Sequence, residues 1–248
     1  MNIFVTLKRL PDSETKVKVA GDGKTLDATD VKFIVNPYDE YALEQAVVLK
    51  EKLGGETTIV NVDTELVTKE VRTGLAMGID KAIFVKVGAD ADNFIIAKAI
   101  ADNVKDKNMD LLLLGKQAID DDSHSIGQIL SSLLNVPCVS DVSSMEIEGN
   151  KATVKRAIEG GEEIIEVELP AIFTCDKSLN NPRLPSFMGI KKAKKKEIAE
   201  VEAQMVEKSL EVEKMELPPQ RTAGLFIGEG VDALPELIKR LKEEAKVL

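Results

Sequence analysis

The stretch DLLLLGKQAIDDDSHSIG, residues 110–127, decides the fold. Its four consecutive leucines, 111–114, predict a strand that is buried on both faces, as strands of parallel sheets usually are. Gly115 ends this strand, a polar loop follows, and the apolar repeat that starts at Ile126 predicts a helix. A strand that leads through a loop into a helix is the repeating unit of an open α/β sheet.

The loop in this stretch is a candidate nucleotide-binding turn. Open α/β sheets bind ligands beyond the carboxyl ends of their strands, where the N–H groups of a helix N-terminus attract anions. Gly115 and Gly127 would allow close backbone approach, Ser123 and Ser125 offer hydroxyls, and Gln117 could contact a base edge or a phosphate. These residue types together predict a site for a nucleotide.

Three acids in the same loop, Asp120, Asp121 and Asp122, complicate this interpretation. They would repel a phosphate if they pointed inward, so most must face solvent, cap the helix or bind a cation. An acidic surface turn without a ligand is the alternative that the residues alone leave open. His124, the only histidine of the chain, is expected to be a hydrogen-bonding surface group and is assigned no catalytic role.

The flanking sequence extends the α/β pattern through the first half of the chain. Near-continuous apolar runs predict four strands at NIFVTL (2–7), TTIVNV (57–62), AIFVKV (82–87) and DLLLLG (110–115). Helical patterns separate these runs, which predicts a mostly parallel sheet with helices on both faces.

Three helices are predicted between these strands. In the first, Asn36 is the expected N-cap, Pro37 presets the first turn, and the acids Asp39 and Glu40 match the helix dipole. Its apolar face is predicted to comprise Leu43, Ala46, Val47 and Leu53, and its end to lie at Gly54 and Gly55. The other two are a helix with Val67, Val71 and Leu75 spaced by four, ending at Gly78, and a helix that begins near Asp92.

The pattern changes after Pro137. Alternating strand-like segments broken by turns at 149–150 and 160–161 predict an antiparallel addition to the parallel core. From Leu179 onward a turn-rich segment, a highly charged stretch (197–217), PPQR (218–221) and a last amphipathic helix predict an arm. That helix, with Leu234, Leu237, Ile238 and Leu241 on one face, could pack on a partner or fold back on its own domain.

Composition excludes several classes of protein. A chain of 248 residues can bury a full core without disulfides, and Cys138 and Cys175 form no metal-binding or redox pair motif. The net charge of −10 argues against nucleic-acid binding. A strand-like start and the lack of a run of about 18 apolar residues predict a cytoplasmic protein with no signal peptide and no direct membrane insertion.

Recognised catalytic motifs are also missing from the sequence. There is no G-x-S-x-G, no Walker A run and no Rossmann G-x-G-x-x-G, and no convincing nucleophile or acid/base pair. This pattern favours binding or carrying over catalysis.

Four separated segments are similar to the beta (small) subunits of electron transfer flavoproteins. They are NPYDEYALEQAVVLKEK (36–52), VRTGLAMGIDKA (71–82), GKQAIDDD (115–122), and LPAIFTCDKSLNNPR with the following IKKAKKK and PPQRTAG (169–224). Their order and spacing extend the resemblance over essentially the whole chain.

The resemblance implies a Rossmann-like fold of the adenine nucleotide alpha hydrolase type and a heterodimer with an alpha subunit. That partner would hold most of the redox-active FAD, and this chain would bind a structural AMP. The implied AMP contacts, carried over by position, are Thr6, Asn36, Pro37, Tyr38, Asp39, Val62, Gly115, Lys116, Gln117, Ala118, Ile119, Asp120, Asp121, Asp122, Ser123, His124, Ser125 and Ile126.

Two forms of the family differ at this loop. Electron-bifurcating relatives hold a second FAD in place of AMP, oxidise NADH there, and tend to carry an Asp-Gly-Asp-Thr type of loop and a Val-Gly-Pro run. Here Asp121 occupies the glycine position and Gln128 follows Gly127, so the AMP form is expected. The bifurcating form and a stand-alone adenine-nucleotide-binding module remain alternatives.

The resemblance also implies a partner recognition loop within 179–196. Phe187 occupies the anchor position for docking to partner dehydrogenases, with Leu184 and Met188 beside it, although an ordinary packed phenylalanine is the alternative. The neighbouring lysines could steer an acidic partner or form a solvated basic face. The expected organisation is a nucleotide-binding domain (1–178), this recognition segment, and an arm that packs on the alpha subunit (197–248).

The implied function is electron carriage, with the protein itself not an enzyme. The heterodimer would accept electrons from flavin dehydrogenases of the acyl-CoA dehydrogenase type, as in fatty acid oxidation, and pass them to a quinone oxidoreductase. In such a carrier the cofactor supplies the chemistry, and this chain supplies orientation and docking.

Overall fold

A computed structural model describes residues 1–219 and 223–248. Gln220, Arg221 and Thr222, which belong to the PPQR and PPQRTAG segments singled out in the sequence, lie outside the described residues. The strands of the described ranges, numbered in chain order, are β1 (Asn2–Leu7), β2 (Arg9–Pro11), β3 (Phe33–Val35), β4 (Glu56–Asp63), β5 (Lys81–Lys86), β6 (Leu111–Gly115), β7 (Cys138–Glu148), β8 (Lys151–Ile158), β9 (Gly161–Glu168), β10 (Ala171–Cys175) and β11 (Ile198–Glu202). The α-helices are α1 (Pro37–Leu53), α2 (Thr68–Met77), α3 (Asn93–Val104), α4 (Ile126–Leu134), α5 (Phe187–Ala193) and α6 (Leu234–Glu243).

One large sheet organises the fold. Its strand order is β11-β5-β4-β1-β6-β10-β7-β8-β9. Every neighbouring pair from β11 to β7 is parallel, and β7, β8 and β9 form an antiparallel extension at one edge. Strands β2 and β3 pair separately as an antiparallel ribbon. The predicted parallel core and antiparallel addition are both confirmed.

The parallel core has a topological switch point between β1 and β6. From β1 the chain proceeds outward to β4 and β5 on one side, then returns to β6 and continues to β10 on the other. Ligands of doubly wound sheets bind outside the carboxyl ends of the strands at such a point, because the two connections diverge there and leave a crevice. The fold therefore places the 115–126 loop beside the ends of β1 and β4.

Helices cover both faces of the sheet, as predicted. One core contains Ile3, Val5, Leu111 and Leu113 from the strands with the apolar sides of α1 and α2, and the other contains Phe4, Leu112 and Leu114 with those of α3 and α4. Successive residues of β1 and β6 alternate between the two cores because strand side chains alternate in direction. This explains the uninterrupted apolar runs of both strands.

The predicted helix boundaries are close to those observed, but two residues of α1 and its N-cap differ from their predicted roles. Asp92 caps α3 through a hydrogen bond from the Ile95 N–H at 2.9 Å, and α2 ends at Gly78. Leu53 was predicted on the apolar face of α1 but is exposed, because it lies in the last turn beyond the sheet. Asn36 occupies the N-cap position of α1 but makes no side-chain capping bond within the described residues.

The segment after Leu179 is more ordered than the sequence predicted. Strand β11 extends the sheet by pairing with β5, although its sequence IAEVE lies in the stretch interpreted as a charged arm, and α5 forms in the turn-rich segment. The alternation of IAEVE is too short to stand out from its charged flanks. Leu234, Leu237 and Ile238 of α6 are exposed, so this helix does not bury its apolar face on its own domain.

Across residues 1–219 and 223–248, none of the helices combines the length and the apolar character needed to cross a membrane.

Candidate functional site

A cleft of about 690 Å³, including its open mouth, lies at the carboxyl ends of β1, β4 and β6. Ligands of open α/β sheets bind in this position, beyond the carboxyl ends of the strands. Helix α3 and the first residues of α4 form the opposite wall. The cleft therefore occupies the switch point of the sheet.

Most of the predicted nucleotide contacts line this cleft. The lining residues among them are Thr6, Asn36, Asp39, Val62, Gly115, Lys116, Gln117, Ala118, Asp121, Ser123, His124, Ser125 and Ile126. Five predicted contacts are not part of the lining: Pro37, Tyr38, Ile119, Asp120 and Asp122.

The floor of the cleft contains a buried carboxylate. Asp39, in the first turn of α1, is 4% exposed and accepts hydrogen bonds from the backbone N–H groups of Lys8 (2.7 Å) and Gly115 (3.0 Å). Burial raises the pKa of Asp39 to about 6 despite these hydrogen bonds. In the sequence Asp39 was predicted to complement the helix dipole, whereas in the structure it joins α1 to the ends of β1 and β6.

Asn36 presents an unsatisfied acceptor in the cleft. Its side chain is 1% exposed, and its Nδ2 donates to the Gln117 carbonyl at 2.8 Å. Its Oδ1 is buried and has no hydrogen-bond partner among the described residues. A buried acceptor without a partner costs about 1–3 kcal/mol, so a donor from a bound ligand or water would stabilise this site.

The two glycines of the loop serve packing between elements. A Cβ on Gly115 would lie 2.6 Å from the Asp39 Oδ1 and 2.7 Å from the Tyr38 Cβ. A Cβ on Gly127 would lie 2.7 Å from the Thr174 Cγ2. The sequence suggested that these glycines allow a close approach to a ligand, but the structure shows close approach of α1 to β6 and of α4 to β10.

The three acids of the loop do not point together into the cleft. The Lys8 Nζ lies 2.7 Å from the Asp120 Oδ1 and 3.8 Å from the Asp121 Oδ2, and Asp122 accepts a hydrogen bond from the Gln117 Nε2 at 2.5 Å. Lys8 therefore offsets part of the negative charge that the sequence placed beside the candidate phosphate site. Within residues 1–219 and 223–248, no group of three or more His, Cys, Asp or Glu side chains could hold a metal ion.

Lys116 is committed to the protein itself. Its Nζ lies 2.8 Å from Asp176 and 3.5 Å from Asp141, and 5.4 Å from the centroid of the Tyr38 ring. Partial burial acts to lower the pKa of Lys116, but the ion pair with Asp176 outweighs it and raises that pKa. The ammonium group of Lys116 is therefore neutralised by Asp176 and Asp141 at the start of the loop.

The start of α4 provides donors at the cleft wall. Ser123 and Ser125 precede the helix, and the Asn93 Nδ2 donates to their Oγ atoms at 3.0 and 3.3 Å. The backbone of His124 between them has a φ of 51°. The first N–H groups of a helix have no partner within the helix and carry its positive dipole end, so this wall is suited to a phosphate.

Several lining residues were missed by the sequence analysis: Leu7, Lys8, Val60, Asn93, Ile96, Ile100 and Leu114. Lys8 directly follows the first predicted strand, and Asn93 directly follows Asp92, near which the third helix was predicted to begin. Their positions at a strand end and a helix start could therefore have identified Lys8 and Asn93 as lining residues of the cleft. The apolar members could not be distinguished from ordinary core residues.

The predicted recognition residues are exposed. Leu184 and Phe187 expose 91% and 81% of their surfaces and Met188 is exposed as well, which contradicts the alternative of a packed Phe187. Arg183, just before them, forms ion pairs with Glu44 (2.9 Å) and Glu51 (2.6 Å) of α1. These carboxylates raise the pKa of Arg183.

Comparisons with known proteins agree with this architecture. A family model described as "Electron transfer flavoprotein domain" matches residues 24–205. A Bacillus subtilis (strain 168) protein named "Electron transfer flavoprotein subunit beta" is 40% identical over 259 aligned residues that cover 100% of both chains. The Bos taurus protein of the same name is 37% identical, covering 100% of this chain and 99% of its own. An Oryza sativa subsp. indica relative, whose name adds "mitochondrial", is 38% identical over 100% of both chains.

Proposed function

The chain belongs to the electron transfer flavoprotein family as a beta subunit, and from this premise we propose that its cleft binds AMP while an alpha subunit holds most of the FAD. Electron transport is the role of the family, and flavin is the cofactor that the family name implies. The assignment of AMP to this chain rests on its own cleft.

One observation carries the AMP proposal. The same cleft combines the buried, unpartnered Oδ1 of Asn36 with the start of α4 and its two serine hydroxyls. A nucleoside monophosphate has complementary groups: its base amine and ribose hydroxyls can donate to Asn36, and its phosphate can accept from the α4 N–H groups. In this arrangement the chain's own residues bind and orient the nucleotide.

The side chains at 120–121 favour AMP over FAD as the ligand of this cleft. Asp121 lines the cleft, Asp120 lies next to it, and Lys8 is the cation paired with both. Asp121 occupies the position at which bifurcating relatives tend to carry glycine, so its side chain adds bulk and a carboxylate to this side of the cleft. This supports the non-bifurcating form of the family.

The recognition segment is proposed to dock flavin dehydrogenases of the acyl-CoA dehydrogenase type. Exposed large apolar side chains are suited to insertion into a pocket of a partner. The ion pairs of Arg183 with Glu44 and Glu51 fix the backbone just before these side chains, which reduces the conformational entropy lost on binding. Phe187 is the proposed anchor, with Leu184 and Met188 beside it. A quinone oxidoreductase is the proposed electron acceptor.

The C-terminal arm is proposed to pack on the alpha subunit. The apolar face of α6 is exposed in this chain alone, and Met205, Leu210 and Leu217 in the preceding stretch are exposed too. Exposed apolar surface of this kind is typical of a segment that is buried in an assembly. We retain the predicted division at residue 178 and the predicted cytoplasmic location as parts of this proposal, and place the start of the arm after β11, because β11 pairs with β5 in the sheet.

The decisive experiment is co-purification of the chain with its alpha subunit, followed by extraction and identification of every bound nucleotide. The expected result is one FAD and one AMP per heterodimer, with no rapid reduction by NADH. Two FAD molecules with NADH reduction would establish the bifurcating form instead. A stable monomer that binds adenine nucleotide and no flavin partner would support the stand-alone module.

A further inference from the structure

Asn93 is the first residue of α3 and lines the cleft opposite the sheet. Its Nδ2 donates to the Oγ of Ser123 at 3.0 Å and to the Oγ of Ser125 at 3.3 Å, and the Ser125 hydroxyl donates to the Ser123 Oγ at 3.2 Å. One amide group on α3 thus contacts both hydroxyls at the start of α4. These contacts join the starts of two helices that also share one hydrophobic core.

The direction of these hydrogen bonds determines what the serines can offer. A hydroxyl has a single proton and two acceptor positions. The Asn93 amide occupies an acceptor position on each serine, and the Ser125 hydroxyl donates its proton to the Ser123 Oγ. The Ser123 hydroxyl proton therefore remains available for another acceptor. The backbone N–H groups that begin α4 lie beside these hydroxyls and also require acceptors. The start of α4 therefore presents donors, as recognition of an anionic oxygen requires.

The same cleft contains an independent indication of a ligand, the buried Oδ1 of Asn36 that has no partner among the described residues. Asn36 needs a donor, and the α4 wall needs an acceptor. A ligand that satisfies both must be polar at two separate places, with an anionic group at one of them. A nucleoside monophosphate meets this requirement and a nucleoside alone does not.

We propose that Asn93 is a positioning residue for phosphate: it orients Ser125 and Ser123 so that the Ser123 hydroxyl is a donor to the ligand, and so makes the cleft select a nucleotide over its nucleoside. This inference rests on the proposed AMP site and deepens it. It predicts that Asn93 contributes to the binding of the phosphate group and hardly at all to that of adenosine.

The test measures AMP and adenosine affinity for the full heterodimer by equilibrium dialysis with labelled AMP and each unlabelled competitor. Asn93→Ala is expected to weaken AMP binding about tenfold, because the Ser123 hydroxyl would lose the orientation that directs its hydrogen bond to the charged phosphate, and to change adenosine binding less than twofold. Asn93→Asp should weaken AMP binding further, because its carboxylate accepts the serine protons and repels phosphate. An acid in the first turn also suits the helix dipole, so this variant should fold.

A matched control and a double-mutant test distinguish a role of Asn93 in orienting the serines from a general effect of the substitution on stability. Asn103→Ala lies on the same helix, where its amide donates to the Ala99 carbonyl at 2.9 Å, and should leave both affinities unchanged. In a Ser123→Ala/Ser125→Ala background, Asn93→Ala should have no further effect on AMP affinity, because residues that act through one another are not additive.

The outcomes distinguish the inference from the function on which it rests. If the wild-type heterodimer binds AMP but Asn93→Ala weakens AMP and adenosine equally, or neither, the positioning role is wrong and the AMP site stands. The same holds if Asn93→Ala retains its full effect without the serines. If the wild type does not bind AMP, both the proposed site and the inference fail.

Discussion

The carboxylate of Asp39 accepts a hydrogen bond from the backbone N–H of Gly115 at 3.0 Å, which joins the first turn of α1 to the end of β6 across 76 positions of sequence. The other Asp39 oxygen accepts from the N–H of Lys8 at the end of β1. One buried side chain thus connects the three elements that meet at the switch point of the sheet. These two hydrogen bonds hold together the residues that form the floor of the cleft.

Titration of Asp39 should make stability depend on pH. Burial raises its pKa to about 6 in the folded chain, above the unfolded value of about 3.9. Folding therefore takes up a proton between these values, and the contribution of Asp39 to the free energy of unfolding falls as pH rises from 4 to 6, by at most about 3 kcal/mol. We expect the stability advantage of the wild type over Asp39→Asn to shrink across this range in urea titrations. A difference that grows with pH would contradict the raised pKa.

Gly115→Ala should destabilise the fold by about 1–3 kcal/mol, because the added methyl group would overlap Asp39 and Tyr38. Gly161→Ala in β9 is the matched control, since a Cβ there meets no atom within 4 Å among the described residues. Denaturant midpoints compare the two variants. Equal midpoints would show that α1 can move away from β6 at little cost.

Asp92 should hold the arm near the start of α3. One carboxylate oxygen caps the helix by accepting from Ile95, and the other accepts from the N–H groups of Ser209 (2.7 Å) and Leu210 (3.1 Å). Asp92→Ser retains a capping oxygen and loses the second contact. We expect faster tryptic cleavage after Lys208 with little change in the unfolding midpoint. Unchanged cleavage would mean that the arm does not depend on Asp92.

Arg183→Lys should loosen the recognition segment. The guanidinium contacts Glu44 and Glu51 together, which a single ammonium cannot reproduce, and the Glu44 side chain is buried. Because Arg183 is about one-third exposed, we expect a loss of stability of about 1–3 kcal/mol, below the full cost of breaking a buried pair. Urea denaturation measures it, with Arg156→Lys on the β8–β9 surface as the control. A loss no larger than that of the control would contradict the anchoring role.

Phe187→Ala should slow electron transfer from an acyl-CoA dehydrogenase about tenfold or more at limiting protein concentration, since a docking anchor is worth roughly 1–2 kcal/mol or more. Flavin and AMP content should stay constant, because Phe187 is exposed and lies outside the cleft lining. Ile164→Ala, an exposed apolar residue of β9, is the control. Transfer rates that match the control would argue against docking through Phe187.

Much of the fold was predictable from local sequence. The four apolar runs correspond to β1, β4, β5 and β6 within one or two residues, because a strand buried on both faces needs an unbroken apolar run. The glycine at 78 and the aspartate at 92 marked helix ends, since both act within a few residues of chain. The family resemblance was likewise contained in the order of four segments, and the comparisons confirm it.

The contacts that make the site depend on tertiary structure. Pairing of β11 with β5, the engagement of Lys8 with Asp120, and the bond between Asp39 and Gly115 all join residues far apart in sequence. The sequence determined the residue types at the strand ends and the helix starts. Only the folded chain decided that Asp39 is buried, that the Asn36 oxygen lacks a partner, and that Phe187 is exposed, because desolvation and exposure depend on which distant segments pack together.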